Sequence, residues 1–211
     1  MNEQQTTGRA RPGPTGLPPF AAAGWRDGAE FLRGFLRNPA QVGSVIPSSP
    51  QLEQRLVRNA GIADARCAVE LGPGTGGTTA ALLRALPAQG RLLAIELDPQ
   101  FHRHVAGTLQ DARLALELGS AERIEEFLVA HGMERPDAIV SGIPFSTMPA
   151  EVSQRIAAVI ARVLRPGGRF VAYQVRPHVE RFLTPELGAP LQREWELLNV
   201  PPVRVFTWVK R

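Results

Sequence analysis

The chain is poor in the residues that staple, ligate and stack. Among 211 residues it has one cysteine, one tyrosine, three tryptophans and four histidines. Its single thiol, Cys67, cannot close an internal disulfide. Cys67 opens an apolar run and reads as a buried thiol of a reducing compartment, not a nucleophile. The histidines are scattered, and His102 and His104 stand two apart on a predicted helix, where their side chains diverge. No metal is therefore expected. Long apolar runs are also missing. The longest, Ile156 to Leu164, contains Arg162 and falls short of a bilayer span. No stretch reads as a signal peptide, and Asn2 departs from the myristoylation pattern, so the expectation is a soluble or peripheral protein.

Charge of one sign is only slightly in excess. Twenty-four basic residues against 20 acidic ones give a net charge of +4, which suits an anionic partner such as nucleic acid or a lipid surface. The basic residues are spread along the chain, so this points to no one region. The 44% hydrophobic content is ordinary and sufficient for one domain with a core.

Residues 1–24 are rich in Gly, Pro, Thr and Gln and read as a flexible arm. Trp25 to Arg37 divides sharply at helical spacing. Arg26, Glu30, Arg33 and Arg37 share one face, and Trp25, Ala29, Phe31, Leu32, Phe35 and Leu36 share the other. Such a helix either packs its apolar face on the domain or lies in a membrane interface with its arginines toward anionic lipid. The segment 25–50, ending in the loop Gly43-Ser-Val-Ile-Pro-Ser-Ser49, leads into a domain over 51–211. There, after a helix from Pro50 to Asn59, strand and helix alternate as a parallel sheet requires. Strands are predicted at 67–71, 91–96, 113–118, 137–142, 168–175, 194–200 and 203–209. Helices fill 76–86, 99–109, 120–131, 149–164 and 177–183.

The first strand runs into Val69-Glu-Leu-Gly-Pro-Gly-Thr-Gly-Gly77, and the second ends in Glu96-Leu-Asp98. A glycine turn followed about twenty residues later by a carboxylate is the layout of a nucleoside-cofactor site. Gly72, Gly74 and Gly77 satisfy the dinucleotide pattern, while Glu70, Gly72, Gly74 and Gly76 satisfy the pattern used for S-adenosylmethionine. The end of the chain separates the two. Trp195 to Val200 and Val203 to Val209 are joined only by Pro201 and Pro202, so they pair antiparallel. A parallel sheet closing on an antiparallel hairpin favours the methyl donor, and no room remains for the substrate domain of a dehydrogenase. The expected fold is an α/β, doubly wound, seven-stranded sheet of the class I methyltransferase type with its last strand antiparallel.

With these motifs, the chain resembles the bacterial phospholipid N-methyltransferases, a branch close to the rRNA adenine dimethylases. The likeness runs from about Phe31 to the C-terminus. It rests on Gly43 to Ser49, Val69 to Gly76, Glu96 to Asp98 and Ser141-Gly-Ile-Pro-Phe145. The resemblance implies that Glu70, Gly72 and Gly74 hold the methionine part of the donor, with Gly76 completing the turn, and that Glu96 and its neighbour Leu97 meet the ribose side. It implies a covering loop of Ser44, Ser48 and Ser49, and Ser141 beside the cofactor. Two departures separate the chain from the dimethylases. Gly119-Ser120-Ala121 replaces Gly-Asp-Ala, which moves adenine contact to Ser120, Ala121 or Glu122. Gly142-Ile143-Pro144-Phe145 replaces Asn-Leu-Pro-Tyr, so the amide that would bond a base is missing. The helical RNA-binding domain of those enzymes also has no counterpart, and no nucleic acid is expected.

The activity so implied is N-methylation of the phosphatidylethanolamine headgroup toward phosphatidylcholine, the alternative being N6-methylation of adenine in rRNA or tRNA. The enzyme would be a peripheral monomer on the inner face of the cytoplasmic membrane. For the acceptor, the residues offer Ser141 and Ile143 in the turn after the fourth strand, whose carbonyls would orient the amine, with Phe145 alongside. Tyr173 reads either as a core residue or as a hydroxyl and ring facing the amine. Arg176 and Arg181 are either solvated surface or ligands of the lipid phosphate.

Overall fold

The computed structural model describes residues 48–211. The arm over 1–24, the segment carrying Trp25, Phe31, Arg33 and Phe35, and Ser44 lie outside the described residues.

Each early element starts where its sequence supplies a stop or a cap. Ser49 accepts the Leu52 N–H at 3.2 Å and is followed by Pro50, so helix α1 (Pro50–Ala60) begins capped; Gly61, at φ 67°, ends it. Strand β1 (Cys67–Leu71) is buried throughout and leads to α2 (Gly77–Ala85), then β2 (Arg91–Glu96). Asp98 caps α3 (Pro99–Thr108) by accepting from Gln100 N–H at 2.6 Å, with Pro99 in the first turn. The chain continues through β3 (Leu114–Leu118), α4 (Ile124–Ala130), β4 (Ala138–Ser141), α5 (Ala150–Val163), β5 (Arg169–Gln174), α6 (Val179–Leu187), β6 (Gln192–Glu196) and β7 (Val203–Val209).

The seven strands form one sheet in the order β3-β2-β1-β4-β5-β7-β6. β1 pairs in parallel with both β2 and β4, and β7 lies antiparallel between β5 and β6. Alternation along the strands sends side chains to two cores. Val69, Leu71, Ile95, Phe170, Phe206 and Trp208 pack on one face with α4, α5 and α6. Ala68, Leu92, Val140, Val171, Tyr173 and Val205 pack on the other with α1 and α2.

Three predicted boundaries move. The sixth strand occupies Gln192–Glu196, not 194–200. Leu198 N–H turns back to Glu196 Oε1 at 3.1 Å, which takes the apolar run Leu197 to Val200 out of the ladder and into the connection. The last helix runs to Leu187, through Pro185, although proline removes one backbone donor. Burial of Val179, Phe182, Leu183 and Leu187 at helical spacing outweighs that loss. The helix expected over 120–131 divides into a 3-10 turn, Ala121–Arg123, capped by Ser120, and α4.

The antiparallel closure is anchored by Trp208. Its ring is fully buried, 5.5 Å from Phe170 and 5.9 Å from Phe206, and its Nε1–H donates to the Gly188 carbonyl at 3.0 Å. Truncation to Ala leaves a cavity and an orphaned carbonyl, so Trp208→Ala should cost about 3–5 kcal/mol. Urea unfolding tests this, and a loss below about 1 kcal/mol would show that the hairpin is not an integral part of the core.

Candidate active site

The site lies at the carboxyl end of the parallel strands, where β1 parts from its neighbours. Gly72 N–H still bonds Ile95 O at 2.9 Å on one side, while Gly142 N–H bonds Leu71 O at 2.9 Å on the other. Beyond this point the two chains diverge and leave a crevice at the topological switch. The glycine turn curls through three left-handed residues, Gly72, Gly74 and Gly76, at φ 76°, 56° and 85°. Gly77 is not among them and begins α2, so the alternating glycines form the turn.

Glu96 is the fixed point of the crevice. It is 5% exposed, and its carboxylate accepts the Gly74 N–H at 3.0 Å through one oxygen and the Asp98 N–H at 2.9 Å through the other. One backbone donor holds each oxygen, and the carboxylate lines the pocket. The pocket wall brings together Gly72, Glu96, Leu97, Ser120, Ala121 and Ile143 from four different loops. Leu97 is 72% exposed there, unusual for a leucine beside an otherwise closed strand end. A carboxylate with spare acceptors, an exposed aliphatic flat beside it and a glycine turn beneath fit a nucleoside bearing vicinal hydroxyls. Ser120 Oγ is engaged locally, accepting from Glu122 N–H at 3.2 Å and bonding Glu122 Oε2 at 3.1 Å.

Beneath the turn lies a buried polar cluster on the α1–α2 face. Both Glu70 oxygens on that face have no hydrogen-bond partner among the described residues, and neither does the Ser141 hydroxyl, which alternation along β4 places on the opposite face of the sheet. Burial pushes the Glu70 carboxyl up to about 8; the Thr79 hydroxyl opposes the rise, and the charges of Glu96 and Glu53 add to it. Tyr173 reaches the same cluster. Its hydroxyl lies against Gly142, so close that a Cβ there would collide with it, and the Gly72 carbonyl is 3.2 Å from the same point. Burial, and then the neighbouring Glu70 charge, push its phenol up to about 12, so it remains a donor at neutral pH.

The expected covering loop is represented by two of its three serines. Ser48 Oγ pairs with Thr78 Oγ1 at 2.9 Å, and Ser49 caps α1 through its side chain. The Ser49 N–H donates to Asn199 Oδ1 at 2.8 Å, tying this entry strand to the β6–β7 connection.

On the acceptor side, the Ile143 carbonyl is already taken by Gln174 Nε2 at 2.7 Å. Gln174 was missed in the sequence; a buried amide ending an otherwise apolar strand is its signal. Phe145 does not face a substrate or a membrane. It is 2% exposed and stacks on Phe182 with ring centroids 6.2 Å apart, because the turn after β4 folds its last side chain into the core. Pro144, Met148, Val152 and Ile156 line the pocket in its place. Arg176 is exposed in the turn after β5, and Arg181 lies over the Phe182 ring at 5.7 Å. Cys67 is buried, and its thiol, pushed up to about 12 by burial, donates to the Glu134 carbonyl. No group of three or more potential metal ligands occurs among the described residues.

Sheet order, antiparallel closure and glycine crevice together define the class I methyltransferase fold. Residues 68–168 match the methyltransferase domain family. The ornithine lipid N-methyltransferase of Singulisphaera acidiphila is 29% identical over 177 residues, covering 83% of this chain and 92% of its own. The ribosomal RNA small subunit methyltransferase A of Thermobifida fusca is 28% identical over 161 residues, 64% of this chain and 52% of its own, so this chain spans about half of that relative. Among solved structures, precorrin-6y C5,15-methyltransferase from Geobacter metallireducens superposes with a TM-score of 0.63 at 15% identity, over 79% of this chain and 91% of that one. In fold and in sequence the chain is similar to S-adenosylmethionine-dependent methyltransferases, which supports S-adenosylmethionine as its cofactor.

Glu70 ionises near 4.5 when exposed and near 8 in the fold, so between these values the unfolded chain has released a proton that the folded one keeps. Stability of the ligand-free protein therefore falls as pH rises through this window. Glu70→Gln should flatten that decline, with the larger gain in Tm at pH 8 than at pH 5. Equal Tm changes at both pH values would show that Glu70 is ionised in the fold.

Proposed function

We propose that the chain transfers methyl groups from S-adenosylmethionine to the headgroup amine of a membrane lipid, with phosphatidylethanolamine as acceptor. The observation that carries this reading is the turn after β4. Where a base-recognising enzyme would present a side-chain amide, this chain has Gly142, and the wall beyond is Ile143, Pro144, Met148 and Val152. Such a surface, with Thr147 as its one hydroxyl, lacks the side-chain amide that would pair with a nucleobase but suits a small amine carried on an apolar body. The lipid N-methyltransferase relative, aligned over most of both chains, supports the same reading.

In this scheme Glu96 accepts the ribose hydroxyls and Leu97 covers the adenine. Glu70 faces the cationic methionine end, which would draw its carboxyl into the ionised form. The donor supplies an electrophilic methyl on a sulfonium; what remains for the protein is alignment, exclusion of water and management of one proton. An alkylammonium entering the apolar wall is desolvated, and desolvation favours its neutral, nucleophilic form. The ammonium proton passes to solvent before attack, and the oxygen of Tyr173, held as a phenol, can accept an amine N–H, which leaves the nitrogen lone pair free for the methyl. Gln174 fixes the Ile143 carbonyl and with it the shape of the turn.

The test is transfer of labelled methyl, with three acceptors in parallel: vesicles containing phosphatidylethanolamine, vesicles containing ornithine lipid, and RNA. Label in phosphatidylethanolamine is expected; label in ornithine lipid alone moves the headgroup, and label in RNA alone overturns the lipid reading. Glu96→Ala should weaken donor binding at least about tenfold by calorimetry, because two charge-assisted hydrogen bonds are lost. Tyr173→Phe should lower turnover several-fold with donor affinity unchanged, and unaltered turnover would remove the hydroxyl from the reaction.

A further inference from the structure

The β6–β7 connection, residues 197–202, has its polar groups turned in and its apolar groups turned out. Glu196 Oε1 accepts the Leu198 N–H at 3.1 Å while Glu196 Oε2 accepts Arg55 Nε at 3.0 Å. Asn199, fully buried, accepts from Ser49 N–H and donates to the Pro201 carbonyl at 3.0 Å. Outward stand Leu197 at 68% exposure, Leu198 at 65% and Val200 at 39%, with Trp195 at 50% beside them. A solvated turn ordinarily has the reverse arrangement.

Its position gives this inversion a use. Glu196 pairs with Val203, and Gln174 pairs with Arg204, so the connection projects from the same end of the sheet as the crevice. No charged residue occurs from Leu197 through Val203. Cations flank it instead. The Arg204 guanidinium lies over the Trp195 ring at 4.4 Å, and Arg176 is exposed at the end of the neighbouring strand. Among the described residues neither arginine has a carboxylate within ion-pair reach, whereas the nearby Glu194 and Glu196 are both held by Arg55.

We propose that this connection is a membrane wedge, seated in the headgroup–acyl boundary of an anionic lipid surface so that the crevice opens onto the bilayer. It rests on the reading of the acceptor as a lipid. Backbone entering such a boundary gains from internal partners, which Glu196 gives to the Leu198 N–H and Asn199 to the Pro201 carbonyl. Leucines supply insertion, and an arginine stacked on tryptophan is suited to the interface, one end apolar and the other charged. A water-filled contact with RNA would not call for three aliphatic side chains at the tip.

The experiment is flotation of the full chain with vesicles of phosphatidylethanolamine and phosphatidylglycerol, comparing wild type with Leu197→Ser/Leu198→Ser. Both leucines are about two-thirds exposed, so the fold should be retained, with Tm unchanged. Vesicle partition should fall about tenfold or more, while donor affinity and methylation of detergent-dispersed lipid stay at wild-type levels. Leu197→Met/Leu198→Met should float as wild type does. Undiminished flotation of the serine variant overturns the wedge. So does a fall in its Tm or a change in its oligomeric mass without vesicles, which would assign the face to the chain's own amino-terminal segment or to a second copy. Wild type that methylates dispersed lipid but does not float refutes the wedge alone. Wild type that labels only RNA refutes the lipid reading alone.

Discussion

Everything at this site depends on where β1 lets go of its neighbours. Up to Leu71 the strand is hydrogen-bonded on both sides, to β2 and to β4. One residue later the backbone enters the left-handed region at Gly72, and the ladder cannot continue. From that single break follow the curl of the glycine turn, the start of α2 and the approach of Gly74 N–H to Glu96. The carboxylate is therefore placed by backbone geometry, not by another side chain. A group positioned by two main-chain donors has little conformational entropy left to lose when a ligand arrives.

The same break strands a carboxyl in the interior. Glu70 belongs to the buried strand just before the turn, and its side chain points to the α1–α2 face with neither oxygen hydrogen-bonded among the described residues. An apolar residue would serve the core better, since an unpaired buried carboxyl costs stability and is tolerated only by holding its proton. Ser141, one strand over and equally unpartnered, lies on the opposite face of the sheet. An unpaired carboxyl buried beneath the glycine turn is what a site built for a cationic ligand exhibits.

Much of this was legible in the sequence because it depends on local chemistry. Glycines at alternate positions, a carboxylate ending the next strand, proline after Ser49 and Asp98, and a connection too short for a crossover each specify backbone without reference to distant residues. What the sequence did not reveal depends on tertiary partners. Phe145 looked like an acceptor-side aromatic, yet its direction is set by Phe182, thirty-seven residues on. The Ile143 carbonyl looked available, yet Gln174 on the neighbouring strand holds it. Leu197 to Val200 read as strand because apolar β-formers usually are, and only the inward turn of Glu196 and Asn199 takes them out of the sheet.

Asn199 also connects two regions that the chain order keeps far apart. It joins the residue that starts α1 to the end of the antiparallel hairpin, 150 positions away. α1 packs over β4 and β5, so it roofs Glu70 and Tyr173 as well as opening the domain. The apolar tip is thereby tied through one amide to the cap of α1, which packs on the face that holds the buried cluster. Fixed hydrogen bonds at Ser49 and Glu196 suffice to make the apolar tip and the polar floor two ends of one rigid piece, so that whatever orients the tip also orients the crevice.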